Sequence, residues 1–390
     1  MMTEKSIIKI GLVVNDFLPV GNVWIWRQLL LKEHKPEVIF AKTRSNEELY
    51  PADNVIICKK RSYLLLKIRM KLWFFFKYFY FGLSRKAEKT LRVFIPKHNL
   101  AVLHAHFGTV GCEVVDICKS LKLPLIVTFH GFDATSVPNR WPGYTRKLND
   151  LFRYSHTIIA VSHFIKRRLI ELGCPPEKIA MSYLGVPIPK ACKEYIWTGS
   201  RIRFLHIGSF VEKKGVPDLV RAFVKAFPVD SNVELMLVGK GPDKTLCQKL
   251  IAELKPANPI LMKDAVPSDL VYKEFLEADV FVLNSRTDSQ GTTEGLPIAL
   301  LEAQSYGLPA ISTIHAGIPE AIVHNKTGLL INEKDQEDLI KALQQLNSSE
   351  RIKRMGLAAY DFVKQKFDLE QCNNQLEDLY IQAATDQGNK

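Results

Sequence analysis

The chain has 390 residues, a formal net charge of +12, 47% apolar residues and 24% charged residues. This balance is that of a folded globular protein and excludes a disordered or fibrous chain, and the length suffices for two domains of roughly 100 to 200 residues each. Residues 1–15 contain too short an apolar run for a signal peptide, and no apolar run reaches the roughly 20 residues of a membrane-spanning helix.

The seven cysteines are scattered along the chain without a paired spacing and without a cluster of histidines beside them. A disulfide framework or a zinc site needs such spacings. We therefore expect free thiols in a reducing cytosol.

In the first half of the chain, short β-rich runs alternate with stretches of helical periodicity. The predicted strands are residues 9–14, 101–104, 125–129 and 157–161, and the predicted helices are residues 23–31, 110–121 and 164–172. This alternation is typical of a parallel sheet covered by helices. Residues 186–200 then contain prolines and a glycine without clear periodicity, which indicates a linker.

Positive charge is concentrated in residues 59–97, where twelve Lys and Arg residues accompany one acidic residue, Glu88. Aromatic residues around Trp73 are interleaved with these cations. The composition favours an interfacial segment that binds an anionic membrane surface, and a core helix of the first domain is the alternative. A nucleic-acid partner is not expected, because no nucleic-acid-binding motif accompanies the patch.

A second α/β series follows the linker. Its predicted strands are residues 203–207, 233–238, 280–283 and 309–312, and its predicted helices are residues 216–227, 267–277 and 297–306. Residues 368–384 have a helical pattern that predicts a closing helix. The sequence therefore predicts two Rossmann-like domains, residues 1–190 and 201–365, followed by a C-terminal helix and tail at residues 366–390.

Residues 289–335 are the segment with most of the chemical information. Pro297 suits the first position of a helix and Gly307 its C′ position, so a short helix follows the loop that carries Glu294. A helix N-terminus offers amides and a positive dipole to a phosphate, while Glu294 and Glu302 can accept hydrogen bonds from hydroxyls. A sugar nucleotide offers both groups. For this pair alone, the alternative is a structural role, in which the charge of Glu294 interacts favourably with the helix dipole and Glu302 caps the helix or pairs with a neighbour.

Glu294 and Glu302, with seven residues between them, resemble the E-x7-E signature of the retaining glycosyltransferases of family 4. The similarity runs from the first strand to the final helix. It implies an α/β fold of the GT-B type, in which two Rossmann-like domains face each other across a cleft. It also implies that Glu294 holds hydroxyls of the donor sugar and that Glu302 holds the ribose. The segment that meets the sugar and the diphosphate is then Gly295, Leu296, Pro297 and Ile298.

The residues that follow predicted strand 203–207 resemble the family's phosphate segment, G-R-L-x-x-x-K-G. Gly208 occupies its first position, and Lys214 aligns with the lysine that neutralises charge on the departing diphosphate. Ser209 stands where the family usually has an arginine, and a hydroxyl donates one hydrogen bond but no bidentate charged pair. Without the resemblance, an exposed Lys213–Lys214 pair is usually only a solvated turn.

The first half contains further candidates. Residues 128–133 resemble the family's H-G-x-D turn, in which His130 reaches the donor sugar, and Asp133 either lies on the acceptor side or caps the next helix. Residues 104–108 resemble an H-A-H-F-G stretch of bacterial exopolysaccharide enzymes, which makes His106 an acceptor-side or structural candidate. In the loop after the first strand, Gly21 is a candidate donor ligand through its backbone amide, and Asn22 is an acceptor-side candidate.

The sequence has no D-x-D carboxylate pair, and no third ligand accompanies His104 and His106, so we expect neither a metal ion nor another cofactor. The resemblance implies a metal-independent, retaining hexosyltransferase that transfers sugar from a nucleoside diphosphate sugar to a saccharide or lipid-linked acceptor. We expect it to serve cell-surface polysaccharide biosynthesis, in the cytoplasm and peripherally on the inner face of the membrane. Two alternatives stay open: a GT-B sugar-nucleotide epimerase or phosphorylase, and a non-catalytic, membrane-associated binding partner, which Ser209 makes conceivable.

Overall fold

The computed structural model describes residues 8–18, 23–29, 31, 33–58, 83–195, 201–267 and 269–388. The chain divides into two compact units, Met1–Tyr183 together with Glu370–Lys390, and Leu184–Leu369. The candidates Gly21 and Asn22 and most of the basic segment, residues 59–82, lie outside the described residues.

The first unit is built on a sheet in which all neighbouring strands are parallel. Within the described residues, its seven strands follow the spatial order β3-β2-β1-β4-β5-β6-β7. The strand order reverses between β1 and β4, which is the topological switch point of a Rossmann-like sheet. The strands are β1 (Ile10–Phe17), β2 (Pro36–Arg44), β3 (Val55–Ile57), β4 (Val102–His106), β5 (Leu125–Phe129), β6 (Thr157–Ala160) and β7 (Ile179–Met181).

Helices connect these strands and cover the sheet. Gly108 starts the central one, and a Cβ atom there would lie 2.2 Å from the ring of Phe129, so only glycine lets this helix begin so close to β5. The helices are α1 (Val23–Gln28), α2 (Arg85–Lys97), α3 (Gly108–Leu121), α4 (Ser136–Arg140), α5 (Pro142–Tyr154) and α6 (His163–Glu171).

The C-terminal helix, α13 (Leu369–Gly388), belongs to the first unit. Leu376, Tyr380 and Ala383 recur at helical spacing, so they share one face, and they are buried in a cluster with Ile10 and Val102 of the central strands. On the same helix, Glu377 Oε1 accepts hydrogen bonds from the backbone amides of residues 33 and 34, at 3.1 and 3.2 Å. The last helical segment of the sequence therefore completes the core of the first unit.

The second unit repeats the same architecture. Within the described residues its sheet has six parallel strands in the order β10-β9-β8-β11-β12-β13, with the switch point between β8 and β11. The strands are β8 (Ile202–Ile207), β9 (Val233–Val238), β10 (Ile260–Lys263), β11 (Val280–Leu283), β12 (Ala310–Thr313) and β13 (Gly328–Ile331). The helices are α7 (Val216–Ala226), α8 (Lys244–Leu254), α9 (Val271–Glu277), α10 (Ile298–Ser305), α11 (Gln336–Gln345) and α12 (Ser349–Lys366).

The prediction of two Rossmann-like sheets is confirmed, since both sheets are parallel and both reverse strand order at their centre. Strands 125–129, 233–238 and 280–283 were predicted with their observed bounds, and the other predicted elements differ at their ends. Five strands of the structure were not predicted. Four of them, β3, β7, β10 and β13, are the edge strands of the two sheets, and each has only three or four residues. No helix among the described residues combines the length and the apolar character needed to cross a membrane.

We predict that Glu377→Ala lowers the free energy of unfolding by about 1.5 to 3 kcal/mol, because two backbone amides, one of them buried, lose a charged acceptor. Asp378→Ala is the matched control, since Asp378 is the neighbouring exposed acid on the same helix. Urea unfolding of both variants measures the difference. Equal stability of the two variants would contradict the role given to Glu377.

Candidate functional site

The candidate residues of the second unit lie where β8 and β11 end, at the switch point of the sheet. In open α/β sheets ligands bind at this place, beyond the carboxyl ends of the strands. The segment after β8 carries Gly208 and Ser209 and continues into a 3₁₀ turn, Glu212–Lys214. The loop after β11 carries Glu294 and leads into α10.

Glu294 is a buried carboxylate that is held by two lysines. Lys214 Nζ lies 2.8 Å from Oε1, Lys213 Nζ lies 3.3 Å from Oε2, and the Ser285 hydroxyl donates to Oε1 at 3.2 Å. Only 8% of Glu294 is exposed. Burial by itself raises the pKa of this carboxyl, but the two ammonium groups outweigh it and hold the pKa well below its ordinary value. Glu294 is therefore ionised and, as a carboxylate, accepts hydrogen bonds only.

The turn that carries the lysines is fixed to the loop after β11. Both carboxylate oxygens of Glu212 accept hydrogen bonds from Ser289, from its amide at 3.0 Å and its hydroxyl at 2.6 Å. The amide of Arg286 donates to the Lys213 carbonyl at 2.8 Å. The turn ends at Gly215, whose φ is +58° and where a Cβ atom would lie 2.5 Å from the Asn284 carbonyl oxygen. The backbone thus determines where the two ammonium groups lie.

A second set of hydrogen bonds fixes the backbone at Glu294. The Glu294 amide donates to His315 Nε2 at 3.1 Å, so this nitrogen carries no proton. The proton is then on Nδ1, which donates to Glu333 Oε1 at 2.6 Å, while Glu333 Oε2 accepts from the Thr287 amide at 2.8 Å. His315 follows β12 and Glu333 follows β13, so consecutive strands supply the support.

Gly208 lies beside the stem of Lys214 and beside a buried histidine. A Cβ atom on Gly208 would lie 3.7 Å from Lys214 Cε and 3.2 Å from His206 Nε2. His206 Nδ1 donates to the Val282 carbonyl at 3.0 Å, and Nε2 is buried without a hydrogen-bond partner. Burial, with the charge of Lys214 nearby, lowers the pKa of His206 to about 4 despite this hydrogen bond. The Ser209 side chain is exposed.

The helix that follows Glu294 has the predicted outline. Pro297 is its N-cap, with β-region φ and ψ and no side-chain cap, and α10 begins at Ile298, one residue later than predicted. Gly307 follows the C-cap residue with φ +85°, as the C′ position requires. Gly295 and Leu296 connect Glu294 to the helix, and Glu302 is partly exposed on α10.

In the first unit, His130 and His106 lie together in an aromatic cluster. His106 Nδ1 and His130 Nε2 are 3.2 Å apart, and the Trp24 ring centroid lies 4.3 Å from that of His130. His106 is fully buried, and its Nε2 has no hydrogen-bond partner among the described residues. The structure therefore places His106 against His130 and away from solvent.

Asp133 holds the turn that presents His130. Its carboxylate is fully buried and accepts hydrogen bonds from the amides of Gly108 (2.8 Å), Gly131 (2.9 Å) and His130 (3.1 Å). These amides occupy both oxygens. The carboxylate ties this turn to the start of α3, and the assignment of Asp133 to the acceptor side stays a prediction.

The structure thus brings Gly208, Lys214 and Glu294 together in one unit, with Ser209 on the same loop. Sequence reasoning missed the roles of Lys213, His206, His315 and Glu333; the H-A-G-I-P-E stretch was the only available signal for His315. Within the described ranges, no group of three or more His, Cys, Asp or Glu side chains is arranged to hold a metal ion.

Two family models match the chain in succession, Glycosyltransferase Family 4 over residues 25–189 and Glycosyl transferases group 1 over residues 190–362. The colanic acid biosynthesis glycosyltransferase WcaL of Salmonella typhimurium is 30% identical over 71% of this chain and 70% of its own length. The amylovoran biosynthesis glycosyltransferase AmsK of Erwinia amylovora is 29% identical over 70% of this chain and 68% of its own length. The chain belongs to glycosyltransferase family 4, and the protein is a glycosyltransferase.

Solved structures show the same fold. Anabaena HepE in complex with UDP and glucose matches with a TM-score of 0.75 at 14% identity, over 95% of this chain and 99% of that chain. A glycosyltransferase from Rickettsia africae matches with a TM-score of 0.73 at 19% identity, over 97% of this chain and 99% of that chain. The predicted GT-B class is thereby confirmed.

We predict that stability falls with acid through His206. Its folded pKa of about 4 lies below the ordinary 6.5, so the unfolded chain binds the extra proton and stability is lost as pH falls between these values. Replacing it with phenylalanine should reduce the slope of unfolding free energy against pH by about 1 kcal/mol per pH unit near pH 5.5. Urea unfolding of the unmodified protein and of the variant from pH 8 to pH 4.5 measures both slopes. A difference between the two slopes that is as large at pH 8 as at pH 5.5 would refute the prediction.

Proposed function

We propose that this glycosyltransferase transfers a hexose-type unit from a nucleoside diphosphate sugar to a saccharide or lipid-linked hydroxyl, with retention of the anomeric configuration. The observation that carries the proposal is the buried, ionised Glu294 beside the Lys213 and Lys214 ammonium groups at the switch point. A nucleotide sugar presents hydroxyl donors and a diphosphate next to each other. These are the partners that a carboxylate and two ammonium groups select.

Glu294 acts as the acceptor for sugar hydroxyls in this proposal. Its low pKa keeps the carboxylate charged, and burial strengthens the hydrogen bonds that it accepts. When a sugar hydroxyl occupies Glu294, Lys214 is released from its ion pair toward the diphosphate. Donor binding thus exchanges one set of charge partners for another and leaves no buried charge unpaired.

The chemical step needs little from the protein beyond positioning and charge. The acceptor oxygen forms a bond to the anomeric carbon as the bond from that carbon to the phosphate oxygen breaks. The departing phosphate takes the acceptor's proton, and Lys214 stabilises the negative charge that grows on it. The amides at the start of α10 and the positive end of its dipole face the diphosphate in this proposal, and Glu302 holds the ribose. His130 is a proposed contact to the donor sugar.

Two of the relatives suggest a place for this reaction. By their names, WcaL serves colanic acid biosynthesis and AmsK serves amylovoran biosynthesis, and both products are polysaccharides. We extend this role to the present chain as cell-surface polysaccharide biosynthesis. HepE binds UDP and glucose, which supports a nucleotide-sugar donor.

Donor hydrolysis and transfer test the proposal directly. Purified protein is incubated with UDP-, GDP- and ADP-sugars in EDTA, with and without a lipid-linked saccharide extract, and the anomeric configuration of the product is read by NMR. We expect one nucleotide to be released in the presence of EDTA. If no nucleotide is released from any of the donors, with or without magnesium, the proposed transferase activity is rejected and a binding role is left.

We predict that variants of the site fail in different ways. Lys214→Ala should lower kcat about a hundredfold, because the leaving diphosphate loses its cation. Glu302→Gln should raise donor KM about tenfold and spare kcat, since the ribose is remote from the reacting bond. Glu294→Ala should lower kcat and raise KM.

The matched control for these variants is Lys326→Ala, an exposed lysine of the same unit. Thermal melting identifies variants that have simply lost stability. Normal turnover by folded variants at all three positions would remove this site assignment.

We also propose that the protein binds the inner face of the membrane through residues 59–97. The described part of this segment, α2, buries Leu91 and Ile95 and exposes Lys86, Lys89 and the apolar Val93. A surface that combines cations with an exposed apolar residue suits the headgroup region of an anionic bilayer.

Reversing two of these charges, in Lys86→Glu with Lys89→Glu, should weaken binding to anionic vesicles about tenfold or more. Lys326→Glu with Lys353→Glu makes the same charge change at exposed positions of the second unit. Co-sedimentation with phosphatidylserine vesicles and with phosphatidylcholine vesicles measures both. Equal losses in the two double variants would show that only total charge matters.

A further inference from the structure

Lys213 and Lys214 direct their ammonium groups to the same carboxylate although they are consecutive residues. A 3₁₀ turn has three residues per turn, so consecutive side chains leave its backbone about 120° apart. Here Lys213 Nζ reaches Oε2 of Glu294 at 3.3 Å and Lys214 Nζ reaches Oε1 at 2.8 Å. Their side chains are only 21% and 16% exposed. Lys213 therefore belongs to the site and is not a solvated residue of a surface turn.

This cluster holds one more positive charge than its carboxylate can neutralise. Glu294 supplies one negative charge, and its neighbours Ser285 and His315 supply a hydroxyl and an unprotonated nitrogen that bear no charge. A second anion with oxygen acceptors is the group that two ammonium ions beside one carboxylate would attract. In a nucleoside diphosphate sugar, each of the two phosphates carries a negative charge.

Residues 208–212, between β8 and the two lysines, contain no Lys or Arg. Ser209 is exposed directly after Gly208, and its hydroxyl donates a single uncharged hydrogen bond. Gly208 lies beside the stem of Lys214, and Ser209 is the next residue in the chain.

We propose that Lys213 is the second cation that binds the donor diphosphate, in the place that Ser209 leaves without a charge. The two ammonium groups together offset the Glu294 carboxylate and one phosphate charge, so Lys213 contacts the diphosphate while Glu294 keeps a cation beside it. This inference rests on the proposed function and gives Lys213 a specific role, as a ligand of the diphosphate, that neither the sequence pattern nor the fold assigns. It makes position 213 and position 209 interchangeable as sources of positive charge.

The experiment measures nucleotide affinity in the full-length protein by calorimetry, using UDP, GDP and ADP and, for whichever binds, its nucleoside. Lys213→Met should weaken diphosphate binding about tenfold to a hundredfold and leave nucleoside binding unchanged. It should also reduce the dependence of affinity on salt. Lys213→Arg should retain the affinity, and Lys326→Met, the matched control, should have no effect.

Adding Ser209→Arg to Lys213→Met should restore most of the affinity, because a guanidinium binds phosphate and replaces the positive charge that Lys213→Met removes. A merely structural Lys213 would instead lower the melting temperature, and a charge at position 209 would not rescue binding. Unchanged affinity in Lys213→Met, or a loss that Ser209→Arg does not recover, overturns the inference. Absence of diphosphate binding in the unmodified protein is a different result, which counts against the proposed function itself.

Discussion

The site depends on the burial of one charge, that of the Glu294 carboxylate. An ionised carboxylate can remain in a protein interior only if cations and hydrogen-bond donors replace the water that it has lost. Here Lys213, Lys214 and the Ser285 hydroxyl replace it. Two further sets of hydrogen bonds position these groups. The Glu212–Ser289 hydrogen bonds hold the lysine turn, and the His315–Glu333 pair holds the backbone of Glu294.

The parallel sheet makes this arrangement possible. Strands β8, β11, β12 and β13 end at the same edge, so the residues that follow them meet there although they are far apart in sequence. The lysine turn, Glu294, His315 and Glu333 follow these four strands in that order. Before a ligand binds, both ammonium groups contact the one carboxylate, and they can exchange partners with a donor that carries both hydroxyls and phosphates. The same contacts therefore account for stability and for the proposed selectivity.

The first unit uses buried polar groups differently. Asp133 accepts hydrogen bonds from three backbone amides, and His104 lies 2.7 Å from both Tyr380 Oη and Thr128 Oγ1. These contacts tie α3 and the C-terminal helix to the strands beneath them. Burial lowers the pKa of His104 and His130 to about 3, so both stay neutral at physiological pH. His130 is thereby kept as an uncharged imidazole on a rigid turn.

The sequence by itself determined the two Rossmann-like sheets, because strand and helix periodicity are local properties. Two motifs of fixed spacing also made Glu294, Glu302 and Lys214 candidates for the site. Only the tertiary structure decided that Lys213 shares Glu294 with Lys214, since 81 residues separate Lys213 from that carboxylate. It also decided that the last helix completes the first unit and that Asp133 serves a turn. Each of these depends on which strand ends and helix faces become neighbours after folding, and local pattern carries no information about that.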